Sequence, residues 1–454
     1  MILKLKLKAK VLLLGLMIAA NGFAQGVIDV HSHLITPEFV SALESEGRLM
    51  DEGFPLPKYD VDNHLRWMDE AGVETSALTL AAPQPSSAEV VRQTNEAAAR
   101  IKKEHPGRFL FCAALPQTDV SKSIEEAKYA LDVLKADGIK LATNTDGQYL
   151  GAPELDTLFS VLNERRAVVI LHPHRPEPVN RQVMQQTPLA MQEYLSETTR
   201  AVSNMISRNV LARYNNIKVV VPHCGAYLPL AIPRMKSLTP VMQANKMVGE
   251  INYEANLRTL YYDLAGAHSP EVIRMLLTIT TPDHLLYGSD YPYVAPQVLT
   301  QSLARMKDYL SKEPDLAPFK EMILWKNAKW LLGQTNEKPT AENSVQKMIV
   351  RIAEIEVYPQ HLNEYLAFAN EVDRLSVERE PGVICLYPIQ SAEDSCQIRI
   401  LEIYASEEAY QQHLKTDHFL KYKQGTLHMV KDLKLPTMKP LDPETMKLIF
   451  KKQR

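Results

Sequence analysis

The chain has 454 residues, with 51 Lys and Arg against 54 Asp and Glu, so its formal net charge is −3. This length allows two or three domains. A composition of 45% hydrophobic and 23% charged residues is typical of a globular protein and excludes disordered, collagen-like and multi-span membrane chains. The balance of charges gives no indication of nucleic-acid binding, and four cysteines are too few for a disulfide scaffold.

The N-terminal segment, residues 1–24, has the pattern of a secretory signal peptide. Four lysines precede the apolar run Val11–Ala20, and the small residues Gly22 and Ala24 precede a cleavage site before Gln25. The apolar run is shorter than the ~20 residues that a spanning helix needs, which favours cleavage over an uncleaved anchor. We therefore predict export, to a periplasm, with no stable membrane span after the signal is removed.

In residues 25–333, eight apolar runs alternate with stretches whose apolar residues stand three or four apart, as in amphipathic helices. Apolar strands alternating with helices indicate a parallel sheet covered on both faces. Eight such units fit a (β/α)8 TIM barrel better than an open doubly wound sheet. The predicted strands are Val27–Val30, Thr75–Leu80, Phe109–Leu115, Gly138–Ala142, Ala167–Leu171, Ile217–Val221, Leu260–Leu264 and His284–Tyr287.

A polar segment over residues 334–346 predicts a linker, and a new pattern starts after it. Residues 347–441 have the order β-α-β-β-α-β, which is the order of a small α+β ferredoxin-like domain. Its last helix is predicted over Glu407–Lys423, and the chain ends in a tail over residues 442–454.

Metal-ligating side chains occur at the ends of four predicted barrel strands. His31 and His33 follow the first strand at positions i and i+2, so both imidazoles can point toward one ion. His172 ends the fifth strand, His223 follows the sixth, and Asp290 follows the eighth. Barrel enzymes place their chemistry at the carboxyl ends of the strands, so the set predicts a metal site there rather than five unrelated structural residues.

These motifs resemble those of the amidohydrolase-related family within the amidohydrolase superfamily, which includes aminocarboxymuconate-semialdehyde decarboxylase. The resemblance lies in the segments Val-Ile-Asp-Val-His-Ser-His, Leu-His-Pro, Pro-His-Cys-Gly-Ala-Tyr-Leu-Pro and Tyr-Gly-Ser-Asp-Tyr-Pro, in that order. It implies one divalent metal ion, zinc or alternatively manganese, held by His31, His33, His172 and Asp290. It also implies that His223 lies beside the ion as an acid/base catalyst or a further ligand.

The chemistry of these residue types suggests two catalytic roles. A metal with an open coordination position lowers the pKa of bound water to about 7, and Asp290 is placed to accept that proton as a general base. His223 would polarise a carbonyl group or pass a proton to the leaving group. In the decarboxylases of the family, the resemblance implies instead that activated water helps protonate the carbon that loses CO₂.

Three further residues are predicted to bind the substrate. Arg234 matches the position at which the family binds a substrate carboxylate, although it could also be an ordinary helix arginine. Lys140 lies on the fourth strand, where two-metal members of the superfamily carry a carboxylated lysine, and we favour a one-metal site with this lysine near the substrate. His174 stands two residues after His172 in a loop and is expected to line the pocket.

Our leading hypothesis is a metal-dependent hydrolase that acts on a small carbonyl or carboxylate compound. The alternative is non-oxidative decarboxylation of an unsaturated or aromatic carboxylic acid, which Arg234 favours. A third hypothesis is a binding protein that has lost catalysis. It is weakened because all of the metal-ligating residues are present in the sequence. The expected partner in each case is a small molecule.

The C-terminal domain resembles the antibiotic biosynthesis monooxygenase family, mainly in the segment from Glu402 to Phe419. Some members of that family oxidise aromatic compounds without a cofactor. We favour a role in dimerisation or in covering the barrel, and expect a homodimer. His413 and His418 are five residues apart, about 140° around a continuous helix, so they are not expected to share an ion.

Overall fold

The structure, a computed structural model, describes residues 26–180, 182, 187–340 and 348–438. The predicted signal segment, the C-terminal tail and part of the predicted linker lie outside the described residues. Residues up to 309 form one unit with 320–340, and residues 310–319 form a second unit with those from 348 onward. No helix in the described ranges is long and apolar enough to cross a membrane.

The first unit is built around an eight-stranded parallel sheet in which consecutive strands are neighbours. The N-terminal strand is buried along its whole length, as expected of a strand covered by helices outside and side chains inside. The strands are β1 Val27–Leu34, β2 Val73–Leu80, β3 Phe109–Ala114, β4 Gly138–Ala142, β7 Val168–His172, β8 Lys218–Val221, β9 Leu260–Asp263 and β10 Leu285–Leu286, with a short hairpin of β5 Asn144–Thr145 and β6 Gln148–Tyr149 after β4.

The barrel closes between β10 and β1, although β10 itself has only two residues. The amide of Val30 donates to Tyr287 O (3.0 Å), and the amide of His33 donates to Tyr291 O (2.7 Å). In the return direction, the amide of Asp290 donates to His31 O (2.8 Å). The predicted TIM barrel is therefore confirmed, with its last edge formed by the segment that follows β10.

Helices fill the connections between the barrel strands. Several begin at a polar residue whose side chain accepts a hydrogen bond from the first turn, as Asp60, Ser87 and Ser269 do. The helices are α1 Pro37–Ser45, α2 Val61–Ala71, α3 Ala88–Glu104, α4 Val120–Lys128, α5 Asp156–Glu164, α6 Glu193–Ser207, α7 Val210–Arg213, α8 Leu228–Ala244, α9 Tyr253–Leu257, α10 Pro270–Leu276, α11 Pro296–Lys312 and α12 Asn327–Leu331, with π-helical turns at Tyr129–Val133 and Met322–Lys326.

The second unit is an antiparallel sheet with helices, in agreement with the predicted ferredoxin-like domain. Its elements are β11 Ile349–Val357, α13 Leu362–Arg379, β12 Val383–Gln390, β13 Gln397–Tyr404, α14 Glu407–His413, α15 Asp417–Thr426, β14 Val430–Lys434 and β15 Thr437–Met438. The strands of its sheet have the order β12-β13-β11-β14, and β15 also pairs with β11. A core that includes Ile355, Tyr365 and Ile400 lies between sheet and helices.

One prediction for this domain was wrong. The single helix expected over Glu407–Lys423 is two helices, because the backbone of Thr416 is extended (φ −72°, ψ 147°) and interrupts the helical path. His413 therefore ends α14 while His418 lies in the first turn of α15, so the angle expected from a continuous helix does not apply.

Candidate metal centre

Four side chains from three parts of the barrel converge at the carboxyl ends of its strands. One ligand atom from each of His31, His33, His172 and Asp290 lies within 4.8 Å of every other. Asp290 Oδ1 is 3.1 Å from His33 Nε2 and 3.5 Å from His31 Nε2. The three histidines are buried, whereas 21% of the Asp290 side chain is exposed, so the cluster opens on the aspartate side.

The backbone of β1 shapes this cluster through a bulge. Two residues separate Asp29 from Ser32 on β1, whereas one separates their partners Ser76 and Leu78 on β2. Such an insertion redirects the neighbouring side chains and is common beside active sites. The rings of His31 and His33 both reach the centre, with centroids 5.1 Å apart.

Asp290 is held by an unusual backbone and by the hydrogen bonds of the barrel closure. Its φ of 68° lies in the left-handed region, which is costly for a residue other than glycine. The buried carboxylate of Asp29 accepts hydrogen bonds from the amide (2.9 Å) and hydroxyl (2.7 Å) of Ser289 and so fixes the preceding residue. Asp29 thus acts on the backbone near Asp290.

The histidines fit a cation because the Nδ1 atom of each is engaged outside the cluster, while the Nε2 atoms of His31 and His33 face Asp290 at the centre. The Nδ1 atoms of His31, His33 and His172 contact Asp263 Oδ2 (2.9 Å), Thr79 Oγ1 (3.1 Å) and Pro173 O (2.9 Å) respectively. His31 Nε2 is buried with no hydrogen-bond partner among the described residues. A buried nitrogen of this kind is costly unless something binds it, and imidazole with carboxylate suits a divalent metal ion.

The electrostatics of the cluster favour metal-binding forms of most ligands. Burial lowers the pKa of His33 to about 4 and that of His172 well below its usual value, so both imidazoles are neutral. Burial raises the pKa of Asp290, but the hydrogen bond from His33 and the charge of His31 outweigh it and hold the value at about 2. His31 differs: burial opposes protonation, yet Asp263 raises its pKa to about 9, so metal binding there displaces a proton.

Asp263 is a site residue that we did not predict. It is the last residue of β9 and is fully buried, and its carboxylate contacts His31 Nδ1 through one oxygen and the His223 amide through the other. A carboxylate behind a ligating imidazole fixes its orientation and increases its basicity. The signal was present in the sequence, since Asp263 ends a strand just as His172 does.

We expect Asp263→Asn to weaken metal binding by about 10–100-fold, as loss of such an outer partner does. The amide retains the size of the side chain but removes the charge that orients His31. The measurement is metal affinity by titration calorimetry, with the exposed Asp62→Asn as the matched control. Unchanged affinity in Asp263→Asn would contradict a role for this carboxylate.

His223 lies beside the ligands His31 and His172, and its predicted role as an acid/base catalyst stays a prediction. It begins the short 3-10 turn His223–Gly225 after β8, and its ring centroid is 5.1 Å from that of His31. Its Nδ1 atom is buried without a hydrogen-bond partner in the part of the chain described, and burial together with His31 lowers its pKa. A neutral imidazole with a free nitrogen can exchange a proton with a bound molecule.

Lys140 and His174 form a second polar group next to the ligands. Lys140 lies on β4, adjacent to the strand that ends at His172, and its Nζ is 3.0 Å from His174 Nε2. Burial lowers the pKa of Lys140 to about 7 and that of His174 well below its usual value, so the neutral His174 accepts a hydrogen bond from the lysine. Both residues are available to contact a substrate.

Glu52 and Tyr194 extend this polar group and were not predicted. The Tyr194 hydroxyl donates to Glu52 Oε2 (2.9 Å), and its ring packs against His172 with centroids 5.8 Å apart. Burial raises the pKa of Glu52 to about 7, and its Oε1 has no partner among the described residues. Glu52 lies between α1 and α2, where no pattern in the sequence indicates its proximity to the site.

Arg234 is not brought to the cluster in the described chain. It lies on α8, six residues into the helix, with its side chain exposed. Its role in binding a substrate carboxylate stays a prediction.

Comparison with known proteins then identifies the barrel. Residues 28–334 match the family model described as Amidohydrolase. The chain belongs to the amidohydrolase family. The predicted resemblance is therefore confirmed, and this amidohydrolase is an enzyme in which His31, His33, His172 and Asp290 lie close enough together to hold one metal ion.

The relatives of this amidohydrolase include several decarboxylases. It is 31% identical to decarboxylase macB of Penicillium terrestre over 63% of its own chain and 90% of the relative. It is 30% identical to the 6-methylsalicylic acid decarboxylase of Penicillium expansum over 58% of its own chain and 84% of the relative. Each match spans less than two thirds of this amidohydrolase and more than four fifths of the relative.

A solved structure confirms the fold of the barrel. The dihydroxybenzoic acid decarboxylase of Polaromonas sp. JS666, which was determined with bound manganese and 2-nitroresorcinol, superposes with a TM-score of 0.58 at 18% identity. The match covers 69% of this amidohydrolase and 98% of that chain. Residues 348–425 separately match the model described as Antibiotic biosynthesis monooxygenase, which confirms the second resemblance.

Proposed function

We propose that this amidohydrolase is a metal-dependent, non-oxidative decarboxylase of a small aromatic or unsaturated carboxylic acid. The observation that carries the proposal is the 31% identity with decarboxylase macB across 90% of its length. The named activity of the 6-methylsalicylic acid decarboxylase supports a hydroxybenzoate as the substrate class. These relatives favour the decarboxylase alternative over the hydrolase that was our leading hypothesis.

The reaction exchanges a carboxylate for a proton. The bond between the ring carbon and the carboxylate carbon breaks, its electron pair stays on the ring carbon, CO₂ leaves, and that carbon takes up one proton. A divalent cation held by His31, His33, His172 and Asp290 would supply positive charge to stabilise substrate oxygens as negative charge develops. The protein must supply the proton and exclude competing water.

Asp290 and His223 are proposed to handle that proton. Asp290 is the most exposed of the four ligands, and its Oδ1 faces His31 and His33, so we propose that Oδ2 serves the substrate side. Its low pKa means that it starts ionised, so it first takes a proton from the substrate hydroxyl or solvent and then delivers it to the carbon. His223 Nδ1 donates to the oxygen on which charge collects.

Lys140 and His174 are proposed to hold the substrate carboxylate before CO₂ leaves. Lys140 is buried and its Nζ lies 3.0 Å from Nε2 of the half-buried His174, so a carboxylate that contacts both side chains meets little water. The product CO₂ carries no charge, so these two side chains bind it weakly and it leaves readily.

Three further properties belong to the proposal. Manganese in the Polaromonas decarboxylase supports manganese as a competent ion, beside the zinc that the donor set suggests. Residues 1–24 would direct export to a periplasm, which N-terminal sequencing of the mature protein tests. The second domain would pair two copies of the chain into a homodimer, which size measurement in solution tests.

The experiment that tests the function is a product assay on the metal-loaded full chain. A panel of 2-hydroxybenzoates, including 6-methylsalicylate and 2,6-dihydroxybenzoate, is incubated beside a panel of amides, esters and lactones. We expect CO₂ and the matching phenol from at least one acid, formed at least about 10²-fold more slowly by Asp290→Asn. Turnover confined to the amides, esters or lactones would replace this proposal with the hydrolase.

A further inference from the structure

A second group of metal-ligating side chains lies within the C-terminal domain. Glu380 follows α13, His413 ends α14 and His418 is in the first turn of α15. Glu380 Oε1 is 3.0 Å from His413 Nδ1 and 2.6 Å from His418 Nε2, so two imidazoles meet at one carboxylate oxygen. We call these three residues the Glu380 cluster.

The break between α14 and α15 makes this arrangement possible. On one continuous helix the two imidazoles would point in directions about 140° apart. The extended backbone at Thr416 separates the helices and turns His418 back toward His413. The residues between them are fixed by short-range hydrogen bonds, since both the amide and the hydroxyl of Thr416 donate to His413 O.

The Glu380 cluster is built much as the barrel site is. Its three ligand atoms lie within 4.8 Å of one another, as do those of the barrel ligands. His413 is buried, and only 14% of the His418 side chain and 12% of the Glu380 side chain are exposed. The ring of His413 is also packed against Phe419 and Tyr404, with centroids 4.6 and 5.3 Å away, so its orientation is fixed before any ligand binds.

A third set in the same domain differs in burial. His361, Glu364 and His428 are close enough to hold an ion, but His361 is half-buried and the other two are exposed. An exposed set must immobilise mobile side chains to bind, which costs conformational entropy. The exposed set has the same residue types as the Glu380 cluster, but its side chains are less fixed before an ion binds. It therefore serves as a matched control for the Glu380 cluster.

We propose that the Glu380 cluster binds one divalent transition-metal ion, of the zinc class, independently of the barrel site. Two imidazole nitrogens and one carboxylate oxygen form a ligand set that zinc uses with a fourth position left for water. The remaining exposure of His418 and Glu380 provides that position. Binding displaces the protons that the imidazole nitrogens otherwise share with Glu380, so the hydrogen-bonded cluster is the metal-free form of the site.

The test is zinc stoichiometry of the full chain in a background that lacks the barrel site. His31→Ala/His33→Ala is stripped with a chelator, equilibrated with Zn²⁺ alone, and its bound metal is measured by elemental analysis and by the shift in Tm. We expect one bound zinc ion per chain. Adding Glu380→Gln or His418→Ala is expected to lower the zinc affinity at least about 10-fold, comparable with loss of a metal-supporting residue. Adding His361→Ala/His428→Ala is expected to leave affinity unchanged.

Three outcomes would overturn the proposal. The background chain could bind no zinc, the Glu380→Gln and His418→Ala chains could both retain it, or the loss could follow His361→Ala/His428→Ala instead. Two variants of the Glu380 cluster are used so that a folding defect in one does not decide the test. Substitution of His418 is less apt to disturb folding because this side chain is partly exposed. Circular dichroism of each variant checks the fold.

Discussion

Asp290→Asn is expected to lower kcat/KM for decarboxylation by about 10²–10⁴-fold, the usual contribution of a positioned proton-transfer group. Asparagine keeps the shape of the side chain but cannot take a proton from the substrate and return it to carbon. It also removes the negative charge that lies 3.1 Å from His33 Nε2 and 3.5 Å from His31 Nε2. The expected fall in kcat/KM therefore has two causes, the loss of proton transfer and weaker binding of the metal ion.

These two contributions can be separated by measurement. Activity of Asp290→Asn is determined at metal concentrations that saturate the variant, as established by elemental analysis of the same sample. The exposed Asp62→Asn is the control for a change of Asp to Asn outside the site. A metal-saturated Asp290→Asn enzyme with wild-type kcat/KM would show that the proton comes from another group, with His223 the next to test.

Removing the metal is expected to abolish turnover and to destabilise the barrel. Without the cation, His31 Nε2 is buried and unpartnered, and Asp290 is the only counter-charge that the described ligands provide. A ligand that binds only the folded state stabilises it by about 2.7 kcal/mol at a free concentration of 100 times Kd. We expect the Tm of the chelated chain to fall accordingly.

The measurement is activity and Tm after dialysis against a chelator, then after adding back Mn²⁺ or Zn²⁺. The same chelator saturated beforehand with Zn²⁺, which leaves it no capacity to remove the bound ion, controls for direct effects of the compound. Recovery by one ion and not the other identifies the ion that supports turnover. Full activity in a chain shown by elemental analysis to be metal-free would contradict the site.

The sequence predicted the barrel and its ligands because both depend on local patterns. His31, His33, His172 and Asp290 each follow an apolar strand, and in a parallel barrel all such positions meet at one end. Asp263 obeys the same rule, but a lone acidic residue after two tyrosines is not a recognisable motif. Glu52 could not be predicted, because its place beside Tyr194 depends on how a long connection folds over the barrel.

The second domain shows where local periodicity fails. Residues 407–423 have helical spacing throughout, so one helix was the natural prediction. The helical path is interrupted at Thr416, yet residues 407–423 contain no proline or glycine that would predict the break. The position of Glu380 next to both histidines is a tertiary contact across 33 and 38 positions, which one sequence alone cannot indicate.

His33 and Asp290 take part both in the closure of the barrel and in the metal centre. A metal ion bound there would therefore also hold the two ends of the barrel sheet together. His33 on the first strand and Asp290 beyond the last strand are 257 positions apart in the chain. An ion bound to both acts as a cross-link across the seam, where β10 contributes only two residues to the sheet. Occupancy of the site would thus govern how often the seam opens, and amide exchange at Val30 and His33 would report it.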